Sequence, residues 1–265
     1  MDGVKQMLTV EVAGAVGRIT LTRPEIRNAF DDRLIAELHA AFAGLAARED
    51  VRCIVLAAEG PAFCAGADLH WMRRMADYTR EENLADAQAL ADMLRAIASC
   101  PQPVVARVQG DVYAGGVGLV AACDMAVAVD TAGFCLSEVR IGLVPATISP
   151  YVIRAMGRRA AQRYFLTAER FGAAEALRVG LVQEVVGSVE ALDLAVAGIV
   201  KAVCNAGPAA VRTCKRLIDE VDGRVLDDSL VALTVAGIAD IRASEEGREG
   251  VQAFLAKRKP SWLLG

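Results

Sequence analysis

The sequence contains few residues of the kinds that most often carry metal or nucleophilic chemistry. Only two histidines occur among 265 residues, and aromatic residues make up 5%. His39 lies within a helical pattern and His70 lies beside a turn, and neither stands at metal-ligand spacing from a second ligand. The same scarcity gives poor support for a Ser-His-Asp or Cys-His triad. We therefore predict no metal site.

The seven cysteines form no CxxC pair. They are odd in number, scattered along the chain and mostly surrounded by Ala, Val and Leu. This distribution is typical of small buried hydrophobic residues, and it does not indicate a disulfide framework.

The chain also lacks an excess of basic charge and a long apolar run. It has 29 Lys and Arg against 33 Asp and Glu, well mixed, for a net charge of −4. No basic stripe is available for a nucleic-acid backbone. No apolar run approaches the roughly 20 residues that span a bilayer, and residues 1–6 lack the features of an export signal. We expect a cytoplasmic protein that binds neither nucleic acid nor membrane.

Hydrophobic periodicity predicts a mixed α/β chain, and 54% hydrophobic residues suffice for a sizeable core. The predicted elements are a hairpin at 8–12 and 16–21, a helix from an Asp31 N-cap to about 47, strands at 51–58, 104–108 and 125–129, and helices at 81–99 and 115–123. Strands that alternate with helices in this order imply stacked β-β-α units.

The pattern becomes almost entirely helical after Pro150. Helices are predicted at 160–166, 173–179, 191–203, 209–221, 227–241 and 248–257. We therefore divide the chain into a β-β-α core at 1–200, which holds the site, and a C-terminal helical region at 201–265, which serves as a lid and in oligomerisation.

Two glycine- and alanine-rich turns and one later carboxylate are the most informative feature of the chain. The turns are CAGAD at 64–68 and AGGVG at 114–118, and Glu138 follows the second. Each turn is predicted to leave a strand and enter a helix, where backbone N–H groups and the helix dipole favour negative charge. Two such N–H groups aimed at one oxygen would stabilise an enolate. Taken alone, these residues more commonly allow close packing of helix against strand.

The ordered motifs of the chain resemble those of the crotonase, or enoyl-CoA hydratase/isomerase, superfamily. They are TRP at 22–24, RNA at 27–29, FCAGADL at 63–69, Gly110 with AGG at 114–116, ACD at 122–124, SE at 137–138, GLVP at 142–145 and the segment 254–259. Single matches mean little, whereas this ordered set covers nearly the whole chain. The resemblance implies an α/β fold, a crotonase-type spiral of β-β-α units with a C-terminal helical trimerisation region, assembled as a homotrimer or homohexamer.

The resemblance also implies a site for an acyl-CoA thioester. By position, the N–H groups of Ala67 and Gly115 would hold the thioester oxygen, and Glu138 would be the general acid/base. Partial desolvation beside Val139 would raise the pKa of Glu138 towards the working pH. The alternative for Glu138 is a capping or salt-bridging residue paired with Arg140. In turn, Arg140 would meet a distal carboxylate of the substrate or pair with a neighbouring acid.

Seven further residues are assigned to substrate binding by the resemblance. Arg27 and Lys257 fall where the family contacts the nucleotide end of CoA, although ordinary surface charges are the alternative for both. The other five, around the two turns, are Ala65, Asp68, Leu69, Gly116 and Gly118. Asp68 is also suited to capping the helix that follows it. CoA would enter as part of the substrate, so no separate cofactor is expected.

Gly118 departs from the best-known hydratases of the family, which carry a second glutamate at this position. Two carboxylates hold the attacking water in those enzymes, whereas a Δ3-Δ2 enoyl-CoA isomerase needs one base. However, Trp71 and the segment 137–150 resemble a bacterial subgroup of methylglutaconyl-CoA and isohexenylglutaconyl-CoA hydratases, which also tend to carry Gly there. We therefore predict an enoyl-CoA hydratase acting on a branched, 3-methylglutaconyl-type substrate. The alternatives are an isomerase that uses Glu138 as its sole base and a weakly catalytic CoA-binding homologue.

Overall fold

A computed structural model describes residues 6–263 of the chain. Most of the segment at 1–6, in which no export signal was predicted, lies outside the described residues. The ten strands are β1 (Leu8–Ala13), β2 (Val16–Leu21), β3 (Cys53–Ala58), β4 (Ala62–Cys64), β5 (Val104–Val108), β6 (Asp111–Tyr113), β7 (Met125–Val129), β8 (Gly133–Cys135), β9 (Phe171–Gly172) and β10 (Glu184–Val186).

Helices occupy the intervals between these strands and nearly all of the C-terminal part. They are α1 (Asp32–Ala46), α2 (Leu69–Met75), α3 (Arg80–Ala98), α4 (Gly115–Ala122), α5 (Ser149–Thr167), α6 (Ala173–Arg178), α7 (Val189–Asn205), α8 (Pro208–Val221), α9 (Asp228–Ala243) and α10 (Glu245–Leu255). Short 3₁₀ turns occur at Pro24–Ile26, Glu138–Ile141 and Ser261–Leu263.

The strands form two sheets, and from β3 to β8 consecutive strands alternate between them. The larger sheet has the order β1-β2-β3-β5-β7-β10, in which only β1 and β2 pair antiparallel. The smaller sheet has the order β4-β6-β8-β9 and is parallel except for β8 and β9. A strand in each sheet followed by a helix therefore recurs in β3-β4-α3, β5-β6-α4 and β7-β8-α5. This arrangement confirms the predicted spiral of β-β-α units.

The core lies between the larger sheet and the helices that cover it. All residues of β3 and β5 are buried, as expected for parallel strands covered on both faces. The one charged residue among them, Arg107, is stabilised by an ion pair whose Nε to Asp193 Oδ1 distance is 2.6 Å. The predicted cap of α1 is also present, because the Asp31 carboxylate accepts a hydrogen bond from Leu34 N–H at 2.9 Å. The central elements thus follow the sequence pattern closely.

The predicted boundary at residue 200 falls within a helix of the structure. Position 200 lies inside α7, which packs against β5, β7 and β10 and therefore belongs to the core. The chain changes direction after α7, at Gly207 and Pro208, where α8 begins. Within residues 6–263, no single helix is long and apolar enough to cross a membrane; α7 and α8 reach that length and composition only as a pair with a 108° bend.

Candidate active site

A cavity of about 570 Å³ brings together the three residues predicted to be catalytic. Its lining is formed by Phe30, Ala67, Trp71, Met72, Met75, Ala76, Asn83, Asp86, Ala87, Leu90, Ala114, Gly115, Glu138, Ile141, Leu143, Val144, Pro145, Ala146, Thr147 and Ile148. Most of this wall is apolar, so a charged or polar group inside it interacts more strongly than it would in water.

Ala67 is fixed by a short parallel bridge to Phe30. The N–H of Phe30 donates to the carbonyl of Gly66 at 2.9 Å, and the N–H of Asp68 donates to the carbonyl of Phe30, also at 2.9 Å. In a parallel bridge of this kind, the groups of the middle residue point away from the partner strand. The N–H of Ala67 is therefore left out of the bridge, on a residue that lines the cavity.

Gly115 is the first residue of α4, so its N–H has no acceptor within the helix. The preceding residue, Ala114, has a φ of 47° and donates its own N–H to the carbonyl of Cys135 at 2.8 Å. A Cβ on residue 115 would lie 2.3 Å from Cζ of Phe30. Glycine is thus required for this approach, and the same phenylalanine positions both Ala67 and Gly115.

Glu138 begins the 3₁₀ turn that follows β8. Gly142, with a φ of 77°, ends the turn, and the carbonyl of Glu138 accepts a hydrogen bond from Leu143 N–H at 3.1 Å. The side-chain atom Oε2 is buried and finds no hydrogen-bond partner within residues 6–263. Burial raises the pKa of the Glu138 carboxyl above its usual value. A carboxyl group in this state is suited to accept and return a proton.

Glu138 and Arg140 do not form the salt bridge that was the alternative role for Glu138. The Arg140 guanidinium donates through Nη2 to the carbonyl of Ala168 at 2.5 Å. No ion pair between Glu138 and Arg140 is present in the described part of the chain. Arg140 also does not line the cavity. Glu138 therefore faces the cavity with its charge uncompensated.

Gly116 and Gly118 were assigned to substrate binding, but the cavity lining does not include them. A Cβ on Gly116 would lie 2.9 Å from both Cβ and the carbonyl oxygen of Cys64. A Cβ on Gly118 would lie 2.2 Å from Cγ2 of Ile148. Both glycines are buried and allow α4 to pack closely. The packing explanation therefore accounts for these two positions.

Asp68 and Leu69 also lie outside the lining. The Asp68 carboxylate caps α2 by accepting hydrogen bonds from the N–H groups of His70 at 2.7 Å and Trp71 at 3.3 Å, and it lies 3.6 Å from Nη2 of Arg23. Leu69 is 69% exposed. For Asp68, the structure thus shows the capping role, in which its charge also suits the N-terminal end of the helix.

The remaining predicted binding residues lie near the surface. Ala65 donates its N–H to the carbonyl of Arg27 at 2.9 Å, which joins the first turn to the loop that carries Arg27. Arg27 and Lys257 are both exposed, and neither lines the cavity. Contact of these residues with substrate stays a prediction.

Two polar residues of the site region were missed from the sequence. Asn28 is fully buried; it donates to the carbonyls of Glu59 at 2.8 Å and Ala62 at 2.9 Å, and its Oδ1 accepts the N–H of Arg23. Asp86 lines the cavity from α3 and accepts a hydrogen bond from Trp71 Nε1–H at 3.1 Å. No local sequence pattern identifies Asp86, because its partner belongs to another helix.

Comparison with known proteins gives one consistent family. The model of the enoyl-CoA hydratase/isomerase family matches residues 11–263. The enoyl-CoA hydratase ACTT6 of Alternaria alternata is 34% identical over 96% of this chain and 83% of its own length. The crystal structure of an enoyl-CoA hydratase from Shewanella pealeana is 40% identical, with a TM-score of 0.94, and covers 97% of this chain and 96% of that one. An enoyl-CoA hydratase from Mycobacterium smegmatis is 36% identical, with a TM-score of 0.91, over 98% of this chain and all of that one.

Proposed function

The chain belongs to the enoyl-CoA hydratase/isomerase family, and on that premise we propose that it adds water across the 2,3-double bond of an acyl-CoA thioester. The observation that carries the proposal is the shared cavity of Ala67, Gly115 and Glu138. Two backbone donors and one partly buried carboxylate, whose Oε2 has no hydrogen-bond partner within the described residues, are the groups that an enolate intermediate requires. CoA enters with the substrate, so the reaction uses no separate cofactor.

In the proposed mechanism, the thioester oxygen accepts hydrogen bonds from the N–H groups of Ala67 and Gly115. The Glu138 carboxylate takes a proton from water as the water oxygen forms its bond to C3, and the electron pair of the double bond moves into the thioester enolate. The protonated Glu138 then returns that proton to C2. Loss of one oxyanion donor typically costs about 2.7–4 kcal/mol in the barrier, so the two N–H groups carry much of the catalysis.

The raised pKa of Glu138 suits both halves of this cycle. A carboxyl group at its ordinary pKa is a weak proton acceptor near neutrality and is almost never present as the acid. Burial brings the pKa closer to the working pH, which improves its performance as base and as acid. One carboxyl group therefore suffices for the proton balance of hydration.

Double-bond migration from C3 to C2 is a second candidate, and the packing at Gly118 favours it. Ile148 occupies the space that a side chain at position 118 would need, so residue 118 provides no second carboxylate next to Glu138 and the oxyanion donors. Proton transfer between C4 and C2 needs only the enolate site and one base, both of which are present. The two reactions differ in their products, because hydration adds water to the double bond and isomerisation only moves the double bond.

The charge of the cavity bears on the type of substrate. Within the described residues, Glu138 and Asp86 are the charged side chains of the lining, and no Lys or Arg faces the cavity. The distal carboxylate of a 3-methylglutaconyl group would therefore meet no cation among the described lining residues. A branched methyl group, by contrast, fits a wall of Met72, Met75 and Leu90. We accordingly favour an enoyl group without a distal carboxylate.

The nucleotide end of CoA and the assembly of the chain complete the proposal. The exposed cations Arg27 and Lys257 are candidates for contact with the CoA phosphates. Val231, Val235 and Ile238 recur on one face of α9 and are 46%, 60% and 47% exposed. An exposed apolar face of this kind supports assembly through the C-terminal helices, as a homotrimer or homohexamer.

The proposal is tested by incubating the purified protein with a 2-enoyl-CoA and, separately, with a 3-enoyl-CoA of the same length. Chromatography of the products separates the 3-hydroxyacyl-CoA formed by hydration from the conjugated enoyl-CoA formed by isomerisation. We expect hydration of the 2-enoyl-CoA. Conversion of the 3-enoyl-CoA without any hydroxyacyl product would instead establish the isomerase, and binding without turnover of either compound would leave only a CoA-binding protein.

A further inference from the structure

One wall of the cavity is formed by residues of α3 and of the segment 143–148, and its polar groups differ from those around Glu138. We call it the tail wall; it comprises Asn83, Asp86, Leu90, Val144, Thr147 and Ile148. Asn83 and Asp86 are three residues apart on α3 and therefore share one face of the helix. The tail wall is thus apolar except for a small group of polar side chains around Asp86.

Asp86 is separated from the oxyanion donors by two aromatic rings. The ring of Phe30 lies directly against Gly115, where a Cβ would come within 2.3 Å of Cζ. The ring of Trp71 follows, with a centroid 5.9 Å from that of Phe30. The indole N–H of Trp71 then donates to Oδ1 of Asp86 at 3.1 Å. This succession of contacts places Asp86 on the far side of the two rings from Gly115, so that an acyl chain whose thioester oxygen binds at the proposed donors reaches Asp86 by extending along the tail wall.

The position of Asp86 is held by the core. Trp71 is only 3% exposed, so its indole cannot turn away without disturbing buried packing. Asp86 itself is half-buried. Arg74 interacts electrostatically with Asp86, but it forms its ion pair with Asp32. Asp86 is therefore a rigidly placed carboxylate without an ion-pair partner in the described residues.

The polar groups of the tail wall that remain free can mainly accept hydrogen bonds rather than donate them. Both donor bonds of the Asn83 amide go to the carbonyls of Tyr78 at 3.1 Å and Thr79 at 3.0 Å. The indole N–H of Trp71 is used by Asp86. Among the described side chains of the tail wall, only the Thr147 hydroxyl keeps a donor, while Asp86 retains lone pairs for a ligand.

We propose that Asp86 is a specificity-determining residue, which excludes acyl-CoA thioesters with a carboxylate at the end of the acyl chain and selects those with a terminal hydroxyl. This inference rests on the proposed function. Two carboxylates on this mostly apolar wall repel each other, because no cation of the described lining neutralises either of them. A terminal hydroxyl group, by contrast, donates a hydrogen bond to the remaining lone pairs of Asp86.

The test compares three 2-enoyl-CoA thioesters of equal chain length that end in a methyl, a hydroxyl or a carboxylate group. With the unaltered protein, we expect kcat/KM for the carboxylate compound to be at least about tenfold below that for the methyl compound, with the hydroxyl compound the best of the three. Equal kcat/KM for the carboxylate and methyl compounds would overturn the proposal without any variant.

The variant Asp86→Asn removes the charge and keeps the shape. It should raise kcat/KM for the carboxylate compound by about tenfold relative to the methyl compound and lower kcat/KM for the hydroxyl compound relative to the methyl compound. The matched control is Asp92→Asn on the same helix, because Asp92 bonds to Gln88 and Arg95 and does not line the cavity. The control should preserve the order of the three substrates.

Two outcomes of the variant would contradict the proposal. An unchanged substrate order in a folded Asp86→Asn protein would remove Asp86 from specificity, and equal loss of kcat on all three compounds would make it a catalytic residue. Calorimetric binding of the corresponding saturated acyl-CoA thioesters reads the same preference without turnover. A protein that shows the predicted order in binding but hydrates none of the compounds would contradict the proposed function while supporting the role of Asp86.

Discussion

The side chain of Ile148 occupies the space next to Gly118, so that a Cβ on residue 118 would lie 2.2 Å from Ile148 Cγ2 and 2.7 Å from Ile148 Cβ. Gly118 and Ile148 thus form a complementary pair in which one residue has no side chain and the other is branched. The pair explains in physical terms why a second carboxylate is absent at this position. Both the hydratase and the isomerase hypotheses must therefore work with Glu138 as the carboxylate next to the oxyanion donors.

Replacement of Gly118 by glutamate should destabilise the protein without improving hydration. The new side chain overpacks a buried site, which typically costs about 1–3 kcal/mol. The double variant Gly118→Glu with Ile148→Ala should recover part of that loss, because it removes the atoms that clash. Urea unfolding of the double variant and of each single variant, Gly118→Glu and Ile148→Ala, measures this coupling. Additive effects of the two substitutions would show that Gly118 and Ile148 do not compete for one space.

Gly115→Ala should lower kcat strongly, because the added methyl group must displace Phe30 and with it the N–H donor at residue 115. Disruption of one oxyanion donor corresponds to a loss of about 10²–10³-fold in kcat. Gly44→Ala is the matched control, since Gly44 is exposed within α1 and an added Cβ meets nothing within 4 Å. Steady-state kinetics should show normal turnover for the control. Normal turnover of Gly115→Ala as well would exclude this donor from catalysis.

Asn28→Ala should destabilise the loop that joins Arg27 to the first turn. The amide of Asn28 satisfies two carbonyl groups and one N–H, and each buried group left unpaired costs about 1–3 kcal/mol. Thermal unfolding should show a clear decrease in Tm. Asn28→Asp retains the acceptor for Arg23 N–H but turns a buried carboxylate oxygen towards the carbonyls of Glu59 and Ala62, so its Tm should also fall. A Tm equal to that of the unaltered protein for both variants would contradict the assigned role of Asn28.

The buried Glu138 carboxyl should make stability depend on pH in a defined direction. Its pKa is raised in the folded state above the ordinary value of 4.5, so folding favours the protonated form. The associated stabilisation is fully present below pH 4.5 and is lost as the pH rises through the folded pKa. Glu138→Gln lacks this titration and should be more stable than the unaltered protein at pH 7, with the difference shrinking towards pH 4. Urea unfolding across this range measures the effect, and a pH-independent difference would contradict it.

Regular elements were predictable from the sequence because their patterns are local. The alternation in β2, the β-branched run of β5 and the Asp31 cap of α1 are each encoded within a few neighbouring residues. Strands β4, β6 and β8 are only three residues long and gave no recognisable period. The packing of α7 against β5, β7 and β10 was not predictable, because the periodicity of a helix does not reveal which surface it covers.

Only those residues of the candidate site that belong to sequence motifs were predictable. Ala67, Gly115 and Glu138 each belong to an ordered motif, and the structure places all three on one cavity. The burial of Glu138, however, could not be predicted from the residues around it in the sequence. Ile141, an apolar residue three positions later, is 59% exposed. The pairs Gly118 with Ile148 and Trp71 with Asp86 join different helices or segments. No pattern within one element indicates such contacts.

The most direct test of the account is the hydration rate of a 2-enoyl-CoA by Glu138→Gln, measured together with calorimetric binding of the saturated acyl-CoA. Loss of a general acid/base typically costs 10²–10⁴-fold. We therefore expect kcat to fall by about that factor while Kd changes by no more than about threefold, since the glutamine keeps the shape of the side chain. Turnover by Glu138→Gln at the rate of the unaltered protein would contradict the assignment of Glu138 as the proton carrier.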